Sequence, residues 1–305
     1  MKSFKLLVLM LSLTLGISCG SDDKASQPTS PTGDQAITAF YGGGLMYHEE
    51  RREKVIEELK SSGVSTIIVW TIHIDEKGNL NFNAEFPLVE NGVYVGDQTH
   101  PHFASDMANL KAAPTGIQRI EFGLAAWGSQ TYTHIKNLYE SEGLGDNSTL
   151  YKNFKALQQA IPSIDAFNND DEVTYDVESA VAFTKMLAGM GYKNAIVPYK
   201  NKSFWKSLVE QVNKEYPGNI DRNYLQCYAG GRWNDPCADS WDFGIKMIPG
   251  LWGGPNGISA KKVGDEFSDW REDCHIDGGF LWDYENFALT PAVEDYINAL
   301  QGELQ

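Results

Sequence analysis

The strongest constraint on this chain is a rhythm. Short apolar runs, many of them rich in β-branched residues, alternate with runs whose apolar residues recur at helical spacing. Strands are predicted at 36–41, 65–74, 119–126, 163–172, 194–199, 223–228, 246–251 and 279–282. Helices are predicted at 49–61, 103–113, 132–141, 148–160, 177–190, 203–216, 259–269 and 292–300. Asn147 or Ser148 suits the N-cap of the helix at 148–160, and Gly191 suits the C-terminal end of the helix before it. A long loop rich in Asn and Gly, 75–101, has room for a small hairpin pairing 80–82 with 92–95. About eight strand–helix units over this length match a (β/α)8 TIM barrel, an α/β fold in a single domain. The competing doubly wound open sheet needs a glycine-rich phosphate turn leading into a helix. Gly42-Gly43-Gly44 lacks that spacing.

In such a barrel, chemistry sits where strands end and the following loops begin. The fourth strand ends in Asp170-Asp171-Glu172. Alternation along the strand puts Asn168, Asp170 and Glu172 on one face. Two neighbouring carboxylates disfavour joint ionisation, so one pKa is expected to rise. A raised carboxyl pKa is what a general acid working near neutral pH requires. A solvated acidic loop, holding a cation or not, is the other reading of the same residues. Tyr228, Trp252 and Trp282 fall at the ends of the sixth, seventh and eighth strands, at the same mouth. Trp70, Trp127, Trp233 and Trp241 are further aromatic platforms for a sugar, though each taken singly reads as structural. His73 reads as a hydrogen-bonded histidine with no part in catalysis.

The net charge of −16 argues against nucleic acid or an anionic lipid surface as partner. Near the N-terminus, Lys2 and Lys5 precede an apolar run, 6–17, that is too short to span a bilayer. Gly16-Ile17-Ser18-Cys19 resembles a bacterial lipobox, with Gly16 where Leu is usual. On that reading Cys19 is lipidated and becomes the mature N-terminus. Asp22-Asp23-Lys24 resembles signals that send lipoproteins to the outer face of an outer membrane. An ordinary secretory signal, with Cys19 unmodified, is the alternative. The chain then divides into a signal at 1–19, a flexible tether at 20–34 rich in Ser, Pro, Thr and Asp, and a folded domain at 35–305. The expected location is the cell surface, held by a lipid anchor alone, and a monomer is expected. An oxidising compartment permits a disulfide. Cys237 and Cys274 stand in polar, loop-like contexts and are expected to pair, whereas Cys227 stands in an apolar run and reads as a buried thiol. No His or Cys spacing reads as a zinc site, so neither metal nor other cofactor is expected.

Taken together these residues resemble a known family. Ile164-Asp165-Ala166-Phe167-Asn168-Asn169-Asp170-Asp171-Glu172 resembles the Asp-Gly-x-Asp-x-Asp-x-Glu signature of family-18 glycoside hydrolases. The closing Asp170-Asp171-Glu172 is similar to the endo-β-N-acetylglucosaminidase branch more than to the chitinases, which usually carry Trp before the glutamate. Leu225-Gln226-Cys227-Tyr228 is similar to the family's Gln/Met-x-Tyr, and Gly278-Gly279-Phe280-Leu281-Trp282 to its final strand with a floor tryptophan. The resemblance follows strand order through the mature domain. It implies hydrolysis of β-1,4 bonds next to N-acetylglucosamine, in an N-glycan core or a chitin-like polymer, with retention and without a protein nucleophile. Glu172 would be acid and then base. Asp170 would hold the acetamido N–H, and Tyr228 its carbonyl oxygen. Asn168, Gln226, Trp282, Trp252 and Tyr41 would contact substrate. Asn168 stands where the family has Asp, and Gly123-Leu124-Ala125-Ala126-Trp127 where many members have Ser-x-Gly-Gly. A glycan-binding protein that keeps the cleft without cutting is therefore the alternative.

Overall fold

The computed structural model describes residues 36–125 and 128–302, so Cys19, the tether at 20–34 and Trp127 lie outside the described residues. The strands are β1 (Ile37–Gly42), β2 (Thr66–Ile74), β3 (Leu80–Phe82), β4 (Phe86–Glu90), β5 (Val93–Tyr94), β6 (Arg119–Leu124), β7 (Ala166–Asn169), β8 (Lys193–Ile196), β9 (Ile220–Asn223), β10 (Lys246–Met247), β11 (Gly250–Trp252) and β12 (Gly278–Trp282). The helices are α1 (Arg52–Ser61), α2 (Gly96–Thr99), α3 (Phe103–Lys111), α4 (Thr131–Glu142), α5 (Thr149–Ala160), α6 (Val177–Gly189), α7 (Lys202–Glu215), α8 (Ala260–Asp273) and α9 (Ala292–Gln301).

The parallel strands run in the order β10-β9-β8-β7-β6-β2-β1-β12-β11. β10 and β11 are two pieces of one strand, separated by Ile248-Pro249. The first piece pairs with β9 and the second with β12. Gly250 N donates to Leu225 O at 2.9 Å and Cys227 N to Gly250 O at 3.0 Å, which carries the seam onward. The ring is thereby closed, and the fold is the (β/α)8 barrel read from the sequence. Proline cannot donate to a ladder, which accounts for the break at Pro249.

Three of the nine described α-helices start at a side-chain cap. Ser148 accepts the Tyr151 N–H at the start of α5, Asp176 that of Ser179 for α6, and Ser259 that of Lys262 for α8. Gly191, with φ +97°, follows the end of α6. Among the described residues, the segment from β9 to β10 has no α-helix, only the 3-10 turns Ala229–Gly231 and Asp239–Trp241. The Cys237–Cys274 disulfide ties that segment to the end of α8, and Cys227 is a buried free thiol, both as expected.

Three expectations need correction. The residues at 80–82 pair with β4, not with 92–95; β4 in turn pairs with β5. Asn83 and Ala84 both take the left-handed backbone region, so the chain reverses at once after β3. The fourth strand ends at Asn169, because the Asp171 carboxylate accepts the N–H groups of Val173, Thr174 and Tyr175 and turns the chain. The sixth strand is β9, at Ile220–Asn223, and starts earlier than expected.

One apolar layer lies between barrel and helices, and a second fills the barrel around Ala39, Tyr41, Tyr224, Ile248 and Phe280. Gly250 is required there, since a Cβ at that position would lie 2.1 Å from the Phe280 ring. Burying one such ring contributes about 1.5–3 kcal/mol.

Candidate active site

The C-terminal ends of the barrel strands open into a cleft of about 390 Å³. Asp170 and Glu172 lie on one side of it, and Trp70, Tyr228, Trp252 and Trp282 supply aromatic walls. The Trp70 and Trp282 rings meet edge to face at 4.8 Å, and Tyr228 and Trp252 at 6.5 Å. Trp282 and Trp252 are the last residues of β12 and β11. Trp70 lies inside β2, and Gly43 lets the first loop cross it: a Cβ there would sit 2.0 Å from the Trp70 carbonyl oxygen. The Trp70–Thr71 and Trp282–Asp283 peptides are both cis.

Alternation beyond β7 holds as the sequence implies. Asp171 turns outward onto the loop backbone, while Asp170 and Glu172 turn into the cleft. Gln226 joins them: its Nε2 lies 3.2 Å from Asp170 Oδ1, 3.3 Å from Glu172 Oε1 and 3.2 Å from Val197 O. Gln226 bridges to Gly250 just past β9, which fixes its height in the barrel. Asp170 is 7% exposed, and Glu172 is half-buried.

Burial pushes the Asp170 carboxyl well above the ordinary range, and the charges of Glu172 and Asp171 push it further. The Trp70 indole pulls the other way, but weakly, since its N–H makes no well-formed hydrogen bond. Burial also raises Glu172; the Gln226 amide and the Lys200 charge offset part of that rise, and Asp171 adds to it. The two acids titrate as a pair. Their environment favours holding a proton at a pH where an ordinary carboxylate has lost it.

Tyr228 opens onto the same space, and its hydroxyl has no hydrogen-bond partner among the described residues. The indole N–H groups of Trp70 and Trp252 are likewise buried and unpartnered. Three unspent donors thus stand around the two acids that Gln226 bridges.

Tyr41 lines the cleft, but its hydroxyl is committed to Asn168 Oδ1 at 2.9 Å. Asn168 lies beneath the floor, fully buried, and reaches the cleft only through Tyr41. It does not hydrogen-bond Asp170, as its chemistry would allow. Its Nδ2 donates instead to Glu121 Oε2 at 3.0 Å. The carboxylate next to position 168 therefore comes from β6. Trp241 is buried and structural, whereas Trp233 is 83% exposed. His73 Nε2 is buried without a partner, contrary to expectation, and burial lowers its pKa.

Sequence reasoning missed Glu121, Tyr199 and Lys200. Tyr199 stands at the end of the predicted fifth strand, so the strand-end rule would have found it. Arg119 and Glu121 share one face of an otherwise apolar strand, which was the signal for a charged layer within the barrel.

No family model and no curated protein matches this chain. Solved structures do. The catalytic domain of a family GH18 chitinase from the fern Peteris ryukyuensis is similar at 14% identity and TM-score 0.55, over 87% of this chain and 98% of that one. A chitinase from Bacteroides thetaiotaomicron is similar at 11% identity and TM-score 0.58, over 89% and 97%. The chitinase-like agglutinin RobpsCRA from Robinia pseudoacacia is similar at 10% identity and TM-score 0.53, over 86% and 98%. At these identities the likeness is one of fold: the chain has the (β/α)8 barrel of GH18 chitinases and chitinase-like proteins.

Proposed function

We propose that the protein is a retaining glycoside hydrolase acting on β-1,4 bonds next to N-acetylglucosamine. The bond cut is of endo type, and a di-N-acetylchitobiose core and an N-acetylglucosamine polymer both contain it. The observation that carries this reading is the bridging of Asp170 and Glu172 by Gln226 inside an aromatic cleft. Glu172 donates its proton to the leaving glycosidic oxygen, and the substrate's own acetamido oxygen attacks the anomeric carbon. Asp170 accepts the acetamido N–H and steadies the positive charge that develops. The free Tyr228 hydroxyl holds the acetamido oxygen in line. Trp282 supplies the apolar floor, and Trp252 a wall. Glu172, now ionised, then takes a proton from the incoming water.

The site residues need neither metal nor cofactor for this sequence. The lipobox at Cys19 supports display of a monomer at the cell surface through a lipid anchor. Radiolabelled palmitate entering wild type but not Cys19→Ala tests that part.

A second reading is a glycan-binding protein that does not cut. It is favoured by Asn168, a neutral amide where a carboxylate would relay a proton to Asp170. Product release from high-mannose glycoproteins and N-acetylglucosamine oligomers, followed by mass spectrometry, separates the two. Cleavage by wild type and none by Glu172→Gln supports the hydrolase. Equal binding by both proteins with no cleavage by either supports the binder.

A further inference from the structure

The rim of the cleft beyond β8 and β9 differs in chemistry from its floor. The Lys200 ammonium lies 4.9 Å from the centroid of the Tyr199 ring and 5.4 Å from that of Tyr175. The Arg232 guanidinium lies 5.2 Å from the centroid of Trp233. The two segments are joined. Asn234 Nδ2 donates to Tyr199 O at 3.0 Å and to Gln226 O at 2.9 Å. The Tyr199 ring also packs on Gly230, where a Cβ would come within 3.0 Å of it. Tyr199 and Gly230 line the cleft; Lys200 directly follows the first, and Arg232 follows the second by two residues.

Neither Lys200 nor Arg232 forms an ion pair among the described residues. Their neighbours are occupied: Asp235 accepts the Cys237 N–H at 2.9 Å, and Lys202 is bonded to Ser240 Oγ and stacked on Trp241. The setting sharpens the contrast. The chain carries a net charge of −16, and the cleft holds two carboxylates, a field that repels anions. Two unpaired cations on one rim, with an exposed indole beside them, form a local exception. A guanidinium and an ammonium recognise a carboxylate, and an exposed indole stacks on the face of a sugar.

We propose that this rim selects acidic glycans: N-acetylglucosamine β-1,4-linked to a sugar that carries a carboxylate. The inference rests on the glycosidase reading above and specifies its substrate. Lys200 and Arg232 take the carboxylate, and Trp233 takes the sugar face, while the acetamido sugar lies at Asp170 and Glu172. The carboxylate has two chemical sources, a hexuronic acid or a lactyl ether on an amino sugar.

The test is calorimetric binding to the full chain carrying Glu172→Gln, which leaves the ligand intact. Three oligosaccharides of equal length are compared: an N-acetylglucosamine oligomer, one alternating with hexuronate, and one alternating with the 3-O-lactyl sugar. At least one acidic oligomer is expected to bind roughly tenfold more tightly than the neutral one, as charge-assisted hydrogen bonds imply. The stronger acidic ligand identifies the source. The advantage should shrink at high salt. It should vanish when Lys200→Met and Arg232→Gln are added, and persist with Lys200→Arg and Arg232→Lys. An advantage that survives removal of both charges overturns the proposal. So does neutral binding as tight as acidic binding, which leaves the glycosidase reading standing. If none of the three oligomers binds, the glycan reading fails and takes this proposal with it.

Discussion

Two layers of one barrel interior treat buried charge in opposite ways. In the lower layer Glu121 is fully buried and meets Arg119 Nε at 2.7 Å, the Tyr224 hydroxyl at 2.9 Å and Arg222 at 3.4 Å. Asp221 takes the far side of Arg119 at 2.5 and 2.9 Å. Burial pushes the Arg119 guanidinium down, and Glu121 and Asp221 more than offset that, holding it above its ordinary value. In the upper layer Asp170 and Glu172 share a neutral amide and have no cation in contact. Glu121 and Asp170 are both buried and Glu172 is half-buried, but the compensation differs between the layers. The lower layer holds its guanidinium charged. The upper layer is arranged so that ionising both acids is expensive, the condition for a group that must give up a proton and recover it.

The largest expected effect tests the upper layer. Glu172→Gln should lower turnover of an N-acetylglucosamine oligomer by about 10²–10⁴-fold with the fold intact. Activity within tenfold of wild type would put the acid elsewhere and erase the contrast. The lower layer should show the reverse pattern. Glu121→Ala removes the carboxylate that Arg119 and Arg222 share, leaves Arg119 with Asp221 alone, and should cost about 3–5 kcal/mol in denaturant unfolding. A loss below about 1 kcal/mol would mean that water already screens those charges.

A subtler break is Asp170→Asn. Asp170 has a folded pKa above its unfolded value. Its contribution to stability is therefore fully present below the unfolded pKa and is lost as pH rises through the folded one. Removing the carboxylate should raise the melting temperature at pH 8 by on the order of a few degrees, and the gain should fade towards pH 4. A lower melting temperature at pH 8 would show that the acid is compensated after all. The smallest effect concerns Lys200, the cation whose charge reaches Glu172. Its charge holds Glu172 down, so Lys200→Met should move the alkaline limb of the kcat/KM profile upward, as a pH series would show. A downward move would exclude that coupling.

The contrast also marks what a sequence discloses. β-Branched runs at the barrel strands announced themselves, because strands buried on both faces are apolar throughout. Asp170, Glu172, Tyr228, Trp252 and Trp282 were legible because a parallel barrel places strand ends at one mouth. Glu121 was harder. Alternation pairs it with Arg119, but both faces of β6 are buried, and only the closed ring shows which one looks inward. Asn168 could be seen to depart from the family pattern, whereas its partners on β1 and β6 could not, since each lies more than forty residues away in sequence. The hairpin register failed for a local reason, two consecutive left-handed residues at Asn83 and Ala84.

Gln226 has an arithmetic of its own. Its amide nitrogen carries two hydrogens, and three oxygens stand within reach of it. One oxygen is left wanting unless an acid keeps a hydrogen of its own or a visitor brings one. A sugar with a donor at its second carbon completes the set, and a 2-deoxy sugar leaves the shortage in place. Discrimination between such ligands would then come from a missing hydrogen, with no change of shape.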